Sequence, residues 1–181
     1  MNMLSVEDSL VLIIDIQEKL VNALEKDNIV RNSQKVASAA RILDIPVILT
    51  EQYPKGLGNT LESLKNVLPE NTCILEKTAF NALLEEEFLD KIKSYSKKQI
   101  VIFGIETHIC VHQTASALVE EGFDVYVIKD ACASRNKYEF KQGIEAMKAN
   151  GVKISCVEIA LFEWLKSAKH PKFKEVQALI K

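Results

Sequence analysis

The sequence contains little of the residue types that would place it outside the ordinary globular class. Among its 181 residues there are four cysteines, four prolines and six glycines. Cysteines this few, with no CxxC spacing, form no recognisable disulfide framework or zinc motif, so we expect a reducing, cytoplasmic setting. Residues 1–8 are polar and predict no secretory leader. No apolar run approaches the roughly 20 residues that a membrane-spanning helix needs, so we expect no membrane partner.

An excess of charge of one sign is also missing. The formal net charge is −2, from 23 basic and 25 acidic residues, and only Lys97 and Lys98 are adjacent basic residues. A protein that binds nucleic acid usually carries a concentrated basic patch. We therefore expect no nucleic-acid partner and a small-molecule substrate instead.

What the sequence does contain is an alternation of short apolar runs and longer amphipathic stretches. That alternation is typical of βαβ units with a parallel sheet. The predicted strands are 10–15, 46–50, 72–76, 99–103, 124–128 and 153–157. The predicted helices are 28–43, 82–95, 107–121, 137–150, 158–165 and 172–180. With 48% hydrophobic residues the chain can bury one sizeable core, so we expect a single α/β domain over residues 1–181.

Two of these strands end in a charged residue that can do chemistry. The run at 10–14 leads into Asp15, and the run at 73–76 leads into Lys77. Ligands of open parallel sheets collect at the carboxyl ends of the strands. The ordinary explanations are that Asp15 caps the next turn and that Lys77 is solvated surface. A third predicted strand also ends near a reactive residue, and three such strand ends together favour a functional site.

That third strand end carries a cysteine. Residues 104–111, GIETHICV, lead from a strand into a helix, with Thr107 as the predicted N-cap and Cys110 in the first turn. Orphan N–H groups and the helix dipole favour a thiolate, so we predict a lowered pKa for Cys110 and an oxyanion site beside it. The simplest alternative is that Cys110 is a small buried hydrophobe. Cys132 is the weaker candidate nucleophile.

The order of these segments resembles a known superfamily. The matching segments are Asp15, Lys77 followed by TAF, 104–111, and DACAS at 130–134. In this order they resemble the isochorismatase-like cysteine hydrolases, which include isochorismatases, nicotinamidases and N-carbamoylsarcosine amidases. Residues 50–58, TEQYPKGLG, and 170–174, HPKFK, are similar to the branch of isochorismatase-domain-containing proteins.

The resemblance implies both a fold and a mechanism. The fold is a three-layer, doubly wound α/β structure whose six parallel strands have the order 3-2-1-4-5-6. That order makes the first and fourth strands neighbours and brings Asp15 beside Cys110. Asp15 would accept the proton of Cys110, and Lys77 would stabilise negative charge and orient the carboxylate. The thiolate would then form a thioester with a carbonyl substrate.

The resemblance also implies an oxyanion hole made by the main-chain N–H groups of Glu106 and Cys110. Relatives have a cis peptide bond at the position of Ile105 and Glu106. Glu106 departs from the family pattern, because amidases of this group usually carry a small residue there. Its carboxylate could repel an acidic substrate, recognise a cationic one or point to a subunit interface.

Metal binding is not expected. Nicotinamidases of the superfamily hold a divalent cation with Asp and His residues in the loop after the second strand, but residues 51–63 contain neither. His108 and His112 have helical spacing without an accompanying carboxylate motif, and they are more simply two histidines on a helix face. We therefore expect no metal and no cofactor.

Three further residues are assigned to substrate binding: Gln17, Tyr53 and Phe80. Pockets for small molecules are mainly apolar and aromatic, although Phe80 could equally belong to the core. Family members are commonly dimers or larger assemblies, so the resemblance also implies a homo-oligomer.

The leading functional hypothesis is an amidase-type hydrolase that cleaves a small carbonyl compound through a cysteine acyl-enzyme. A vinyl-ether hydrolase like isochorismatase is the nearer alternative, because that chemistry uses the aspartate and the lysine but does not require the thiol. A non-catalytic interaction protein that retains the fold is the alternative from a different class.

Overall fold

A six-stranded sheet forms the centre of the computed structural model, which describes residues 3–24 and 28–181. The strands are β1 Ser9–Ile14, β2 Val47–Gln52, β3 Cys73–Lys77, β4 Gln99–Ile105, β5 Asp124–Ala133 and β6 Lys153–Ser155. Neighbouring strands are parallel throughout, and their spatial order is β3-β2-β1-β4-β5-β6. The predicted 3-2-1-4-5-6 topology is therefore confirmed.

Helices flank this sheet. They are α1 Glu18–Asn22, α2 Ile29–Ile42, α3 Pro54–Leu57, α4 Glu62–Lys65, α5 Phe88–Ser94, α6 His112–Glu120, α7 Lys137–Ala149, α8 Val157–Leu165 and α9 Phe173–Gln177. Helix α2 packs against α4, α8 and α9, whereas α6 packs against α7. The arrangement confirms the three-layer α/β architecture. Within the described residues, none of these helices combines the length and apolar character needed to cross a membrane.

Several predicted boundaries are corrected. The predicted helix 82–95 is a 3-10 turn, Ala82–Leu84, followed by the separate helix α5. Glu87 lies between them with a φ of 64°, in the left-handed region that a continuous right-handed helix cannot use. Strand β5 extends to Ala133 instead of ending at 128, because its pairing with β4 resumes after a register shift. Strand β6 is shorter than predicted, because α8 already begins at Val157.

The two central strands, β1 and β4, are buried along their whole length. Gly104 of β4 pairs with Ile14 of β1 and has a φ of +137°. A Cβ at Gly104 would lie only 2.0 Å from the carbonyl oxygen of Ile14, so this close approach requires glycine. As a result, the carboxyl ends of β1 and β4 lie directly against each other.

Candidate active site

Asp15 follows β1 at this carboxyl edge and is fully buried. Its Oδ1 accepts a hydrogen bond of 2.6 Å from the Thr50 hydroxyl, and its Oδ2 lies 2.8 Å from Nζ of Lys77. Among the described residues no well-directed hydrogen bond reaches Oδ2, so its contact with Lys77 is an ion pair at short range. Thr50 therefore fixes one carboxylate oxygen, while the other remains able to accept a proton.

Lys77 ends β3 and is also buried, with no exposed side-chain surface. Its Nζ lies 2.8 Å from Asp15 Oδ2 and donates hydrogen bonds to Gln52 Oε1 at 2.5 Å and to the carbonyl oxygen of Ala79 at 3.2 Å. Each of the three ammonium protons thus has an acceptor nearby. Because an unpaired buried charge is very costly, these acceptors explain how the sheet tolerates this cation.

Cys110 lies in a π-helical turn, Thr107–Val111, that precedes α6, and only 7% of its surface is exposed. Burial first, and the negative charge of Asp15 second, raise the pKa of the Cys110 thiol to about 12, and the positive charge of Lys77 partly opposes this shift. The predicted lowering of the thiol pKa is therefore wrong, because burial outweighs the helix N-terminus. The resting thiol is protonated at neutral pH, beside a carboxylate and an ammonium group.

The turn that holds Cys110 differs in detail from the predicted helix start. Its N-cap is Glu106, which makes no side-chain cap hydrogen bond, so the prediction of Thr107 as the N-cap is wrong. The hydroxyl of Thr107 is buried and lacks a partner in the described part of the chain. The peptide bond between Ile105 and Glu106 is cis. Helix α7 packs tightly here, since a Cβ at Gly143 would come within 2.7 Å of His108 Cα.

Glu106 is paired within the chain. Its side chain is 10% exposed, and its Oε2 accepts hydrogen bonds from the main-chain N–H of Arg135 at 2.9 Å and from Arg135 Nε at 3.1 Å. Next to this pair, Nδ1 of His108 lies 2.9 Å from the hydroxyl of Ser134. Three hydrogen bonds therefore join the loop between β5 and α7 to the turn that carries Cys110 and to its N-cap residue.

Gln17, which we assigned to substrate binding, is fully buried, and its side chain forms hydrogen bonds with main-chain groups instead. Its Nε2 donates to the carbonyl oxygens of Gln52 and Gly58 at 3.0 and 2.6 Å, and its Oε1 accepts from the N–H of Gln52 at 2.7 Å. With both amide N–H groups used, Gln17 anchors the loop after β2. This corrects the assignment.

Tyr53 and Phe80, by contrast, are each 55% exposed. Tyr53 lines a cavity of about 220 Å³ together with Lys77, Thr78 and Glu85. Glu85 accepts hydrogen bonds from the N–H groups of Ala79 and Thr78, and these bonds lower its carboxyl pKa. The exposure of both aromatic rings excludes a core role for Phe80 and leaves both available to a ligand.

A larger groove, of about 660 Å³, lies along β3 and α5. Its lining contains neither Asp15, Lys77 nor Cys110. Volume alone therefore does not locate the chemistry in this molecule, and the three strand ends remain the better guide.

Cys132 and the histidines occupy the neighbouring region. Burial raises the pKa of Cys132 to about 12, as in Cys110, with a smaller effect from Asp130. Burial also lowers the pKa of His112, and the charge of His108 adds to this. Within residues 3–24 and 28–181, no cluster of three or more His, Cys, Asp or Glu side chains is arranged to hold a metal ion.

Three residues of the site were not predicted: Thr50, Gln52 and Arg135. Thr50 and Gln52 are two apart in β2, so they lie on one face of the strand, toward Asp15 and Lys77. A pair of polar residues at this spacing, at the end of an apolar strand, is the signal that could have identified them. Arg135 gives no comparable signal, because its role depends on the pairing of β4 with β5.

These features define a doubly wound α/β protein with a buried Asp–Lys ion pair beside a cysteine at the carboxyl edge of its parallel sheet. Residues 9–159 match the model of the Isochorismatase domain. The chain belongs to the isochorismatase family.

Similar sequences and structures agree with this membership. The chain is 40% identical to isochorismatase family protein 1A of Dictyostelium discoideum, over 97% of the chain and 87% of that relative. It is 36% identical to isochorismatase domain-containing protein 1 of Salmo salar, over 92% of the chain but only 59% of that longer relative. Among solved structures, one described as MAR1 ribonuclease from Caenorhabditis elegans matches with a TM-score of 0.93, 37% identity, and coverage of 99% and 92%.

Two further solved structures are of YcaC proteins. The one from Pseudomonas aeruginosa, with hexane-2,5-diol and covalent acrylamide, matches with a TM-score of 0.91 and 27% identity, covering 98% of this chain and 91% of that one. The one from Escherichia coli is described as an octameric hydrolase of unknown specificity. It matches with a TM-score of 0.87 and 25% identity, covering 98% and 94%.

Proposed function

We propose that this protein is a cysteine hydrolase that cleaves a small amide-type carbonyl compound through a thioester on Cys110. The observation that carries the proposal is the fully buried ion pair of Asp15 and Lys77 next to the thiol. A buried ion pair contributes little net stability compared with an apolar replacement, so a chemical role explains its presence better than a structural one.

The resting state supports a mechanism in which proton transfer accompanies attack. Because the thiol is protonated at rest, Asp15 accepts its proton as the sulfur bonds to the carbonyl carbon. The carbonyl π electrons move to oxygen, and the N–H groups of Glu106 and Cys110 stabilise that oxyanion. As the tetrahedral intermediate collapses, the C–N bond breaks and the amine leaves with the proton held by Asp15.

The second half of the cycle reverses these roles. Asp15 removes a proton from a water molecule, which attacks the thioester carbon. Collapse of the second tetrahedral intermediate breaks the C–S bond, and the sulfur regains the proton from Asp15 as the acid leaves. Lys77 makes its three contacts with protein groups, so its charge acts on Asp15 and the sulfur rather than directly on the substrate.

Relatives lend support at two points. The P. aeruginosa YcaC structure contains covalent acrylamide, which is consistent with a reactive nucleophile in a protein of this fold. The E. coli YcaC protein is an octamer, and we propose that this chain also forms a homo-oligomer, a dimer or larger.

A panel of small primary amides, assayed for ammonia release, tests the proposed function. We expect turnover of at least one amide by the natural protein and none by Cys110→Ala. Rapid quenching followed by intact-mass measurement should detect the acyl adduct on Cys110. Turnover without any adduct, or unchanged turnover in Cys110→Ala, would contradict the thioester mechanism.

A vinyl-ether hydrolase is the second candidate, and the protonated state of Cys110 is the observation that favours it. In that chemistry the carboxyl group of Asp15 acts without a thiolate, so a vinyl ether substrate should be cleaved equally well by Cys110→Ala. Because the C. elegans relative is described as a ribonuclease, RNA belongs in the same panel. Absence of turnover throughout, with no selective modification of Cys110, would favour a non-catalytic interaction protein.

A further inference from the structure

We propose that Arg135 is the anion-binding group of this site and that the substrate carries a carboxylate. The inference rests on the proposed function, because it names the substrate class of the same site. Glu106 lies four residues before Cys110, and on sequence alone its carboxylate could repel an acidic substrate, recognise a cationic one or point to a subunit interface.

The position of Arg135 follows from the sheet. Strands β4 and β5 pair Ile105 with Ala133, so the residues just beyond them meet at the same edge as Asp15. Ser134 contacts His108 there, at 2.9 Å, and Arg135 contacts Glu106. The segment that bears Arg135 is thus fixed against the turn that bears Cys110.

Glu106 is not available to recognise a cationic substrate. Its side chain is 10% exposed, and its charge is balanced by the guanidinium of Arg135. The same oxygen also accepts the main-chain N–H of Arg135. A rotation of the Arg135 side chain would not remove that bond, so Glu106 stays directed at the loop.

Arg135, in contrast, keeps one edge free. Its side chain is 63% exposed, and Glu106 occupies only Nε. In the described part of the chain no acceptor is bonded to its two terminal nitrogens. The planar guanidinium presents these nitrogens as a fork that matches a carboxylate in bidentate fashion. Because Nε is already held, less side-chain entropy is lost when an anion binds.

The charges of the site indicate where such an anion would lie. A carboxylate close to Cys110 would face the negative Asp15, whereas one at Arg135 would meet free donors. The substrate carboxylate therefore belongs to the end of the molecule away from the scissile carbonyl. A compound with an amide at one end and a carboxylate at the other satisfies both conditions.

Protection of Cys110 from iodoacetamide tests this inference, with the half-amides of malonic, succinic and glutaric acid, which carry one carboxylate and one amide, compared with the uncharged diamides. In the natural protein we expect at least one half-amide to protect at about tenfold lower concentration than its diamide, as one charge-assisted bidentate contact would give. Arg135→Gln should abolish that preference. Lys137→Gln, which removes an exposed positive charge two residues away, should leave it within about twofold.

A second variant guards against misfolding of Arg135→Gln. Glu106→Gln keeps Arg135 and a side-chain oxygen that can accept its main-chain N–H, so the preference for half-amides should persist or increase. Its loss in Glu106→Gln, or its persistence in Arg135→Gln, would overturn the role of Arg135. If no half-amide protects better than its diamide while iodoacetamide still modifies Cys110 selectively, the inference on Arg135 fails and the proposed function stands. If Cys110 is not modified selectively, the proposed function fails with it.

Discussion

The two thiols at the carboxyl edge of the sheet, Cys110 and Cys132, have similarly raised pKa values but different charged neighbours. Both are buried, and burial is the main reason that the pKa of each is raised to about 12. Cys110 has the carboxylate of Asp15 and the ammonium of Lys77 beside it. A thiol pKa therefore does not distinguish a nucleophile from a core cysteine here, whereas the neighbouring base and cation do.

Among residues 3–24 and 28–181, no carboxylate is placed at Cys132 as Asp15 is placed at Cys110. The carboxylate that raises the pKa of Cys132 is Asp130. Its Oδ1 accepts a hydrogen bond of 2.9 Å from the N–H of Val157. Asp130 thus caps the start of α8. Protonation of Asp130 would weaken this charge-assisted hydrogen bond, so the residue is poorly suited to exchange protons with a thiol.

The largest expected difference between the two thiols is in turnover. With whichever amide the panel identifies, Cys110→Ala should lower kcat by at least about a thousandfold, because the nucleophile is gone. Cys132→Ala should stay within about twofold, since only packing changes. Ammonia release measures both, and equal losses in the two variants would break the comparison.

The cation beside Cys110, Lys77, should also contribute to the free energy of unfolding. Lys77→Met leaves Asp15 as an unpaired buried charge, which should lower the free energy of unfolding by about 3–5 kcal/mol. The control is Lys93→Met, which breaks an exposed ion pair with Glu121 and should cost no more than about 1 kcal/mol. Urea unfolding, followed by the fluorescence of Trp164, measures both. Equal costs would mean that the buried pair is solvated.

The pH dependence of alkylation separates a thiol with a base from one without. Both pKa values lie far above neutrality, so a reaction limited by free thiolate rises about tenfold per pH unit up to about pH 12. We expect that slope for Cys132. Cys110 passes its proton to Asp15 during attack, so its rate should be nearly flat between about pH 7 and about pH 9. Tenfold steps for Cys110 as well would remove Asp15 from the mechanism.

The smallest expected effect is the loss of the hydrogen bond by which Thr50 holds Asp15, the proposed base. Thr50→Val removes the hydrogen bond to Asp15 Oδ1 and should lower the free energy of unfolding by about 1.5–3 kcal/mol, because the acceptor is charged and buried. Thr72→Val removes a hydroxyl bond to the neutral carbonyl oxygen of Pro69, so it should cost only about 0.5–1.5 kcal/mol. Chemical denaturation of both variants measures the two losses in free energy of unfolding. A larger loss in Thr72→Val than in Thr50→Val would contradict the support of Asp15 by Thr50.

The resemblance to a known superfamily was sufficient for the strand order, and the apolar runs before Asp15, Lys77 and Cys110 were sufficient for the three strand ends. Neither was sufficient for their partners. Thr50 and Gln52 depend on the register of β2 with β1 and β3, which no local pattern specifies.

Two predictions failed for reasons that are also three-dimensional. Gln17 was assigned to the substrate site, yet its buried side chain bonds to the main chain of Gln52 and Gly58. The pKa of Cys110 was given the wrong direction because the position of a thiol in a first helical turn says nothing about its depth. Depth is set by the packing of α7 and the central strands around that turn.

The most direct measurement is the rate of iodoacetamide modification of each cysteine at neutral pH, resolved by peptide mapping, in the natural protein and in Asp15→Asn. If the buried carboxylate activates the thiol, Cys110 should react at least about a hundredfold faster than Cys132 in the natural protein, and Asp15→Asn should remove that advantage. Equal rates in the natural protein, or an advantage that survives in Asp15→Asn, would contradict the assignment of Asp15 as the base.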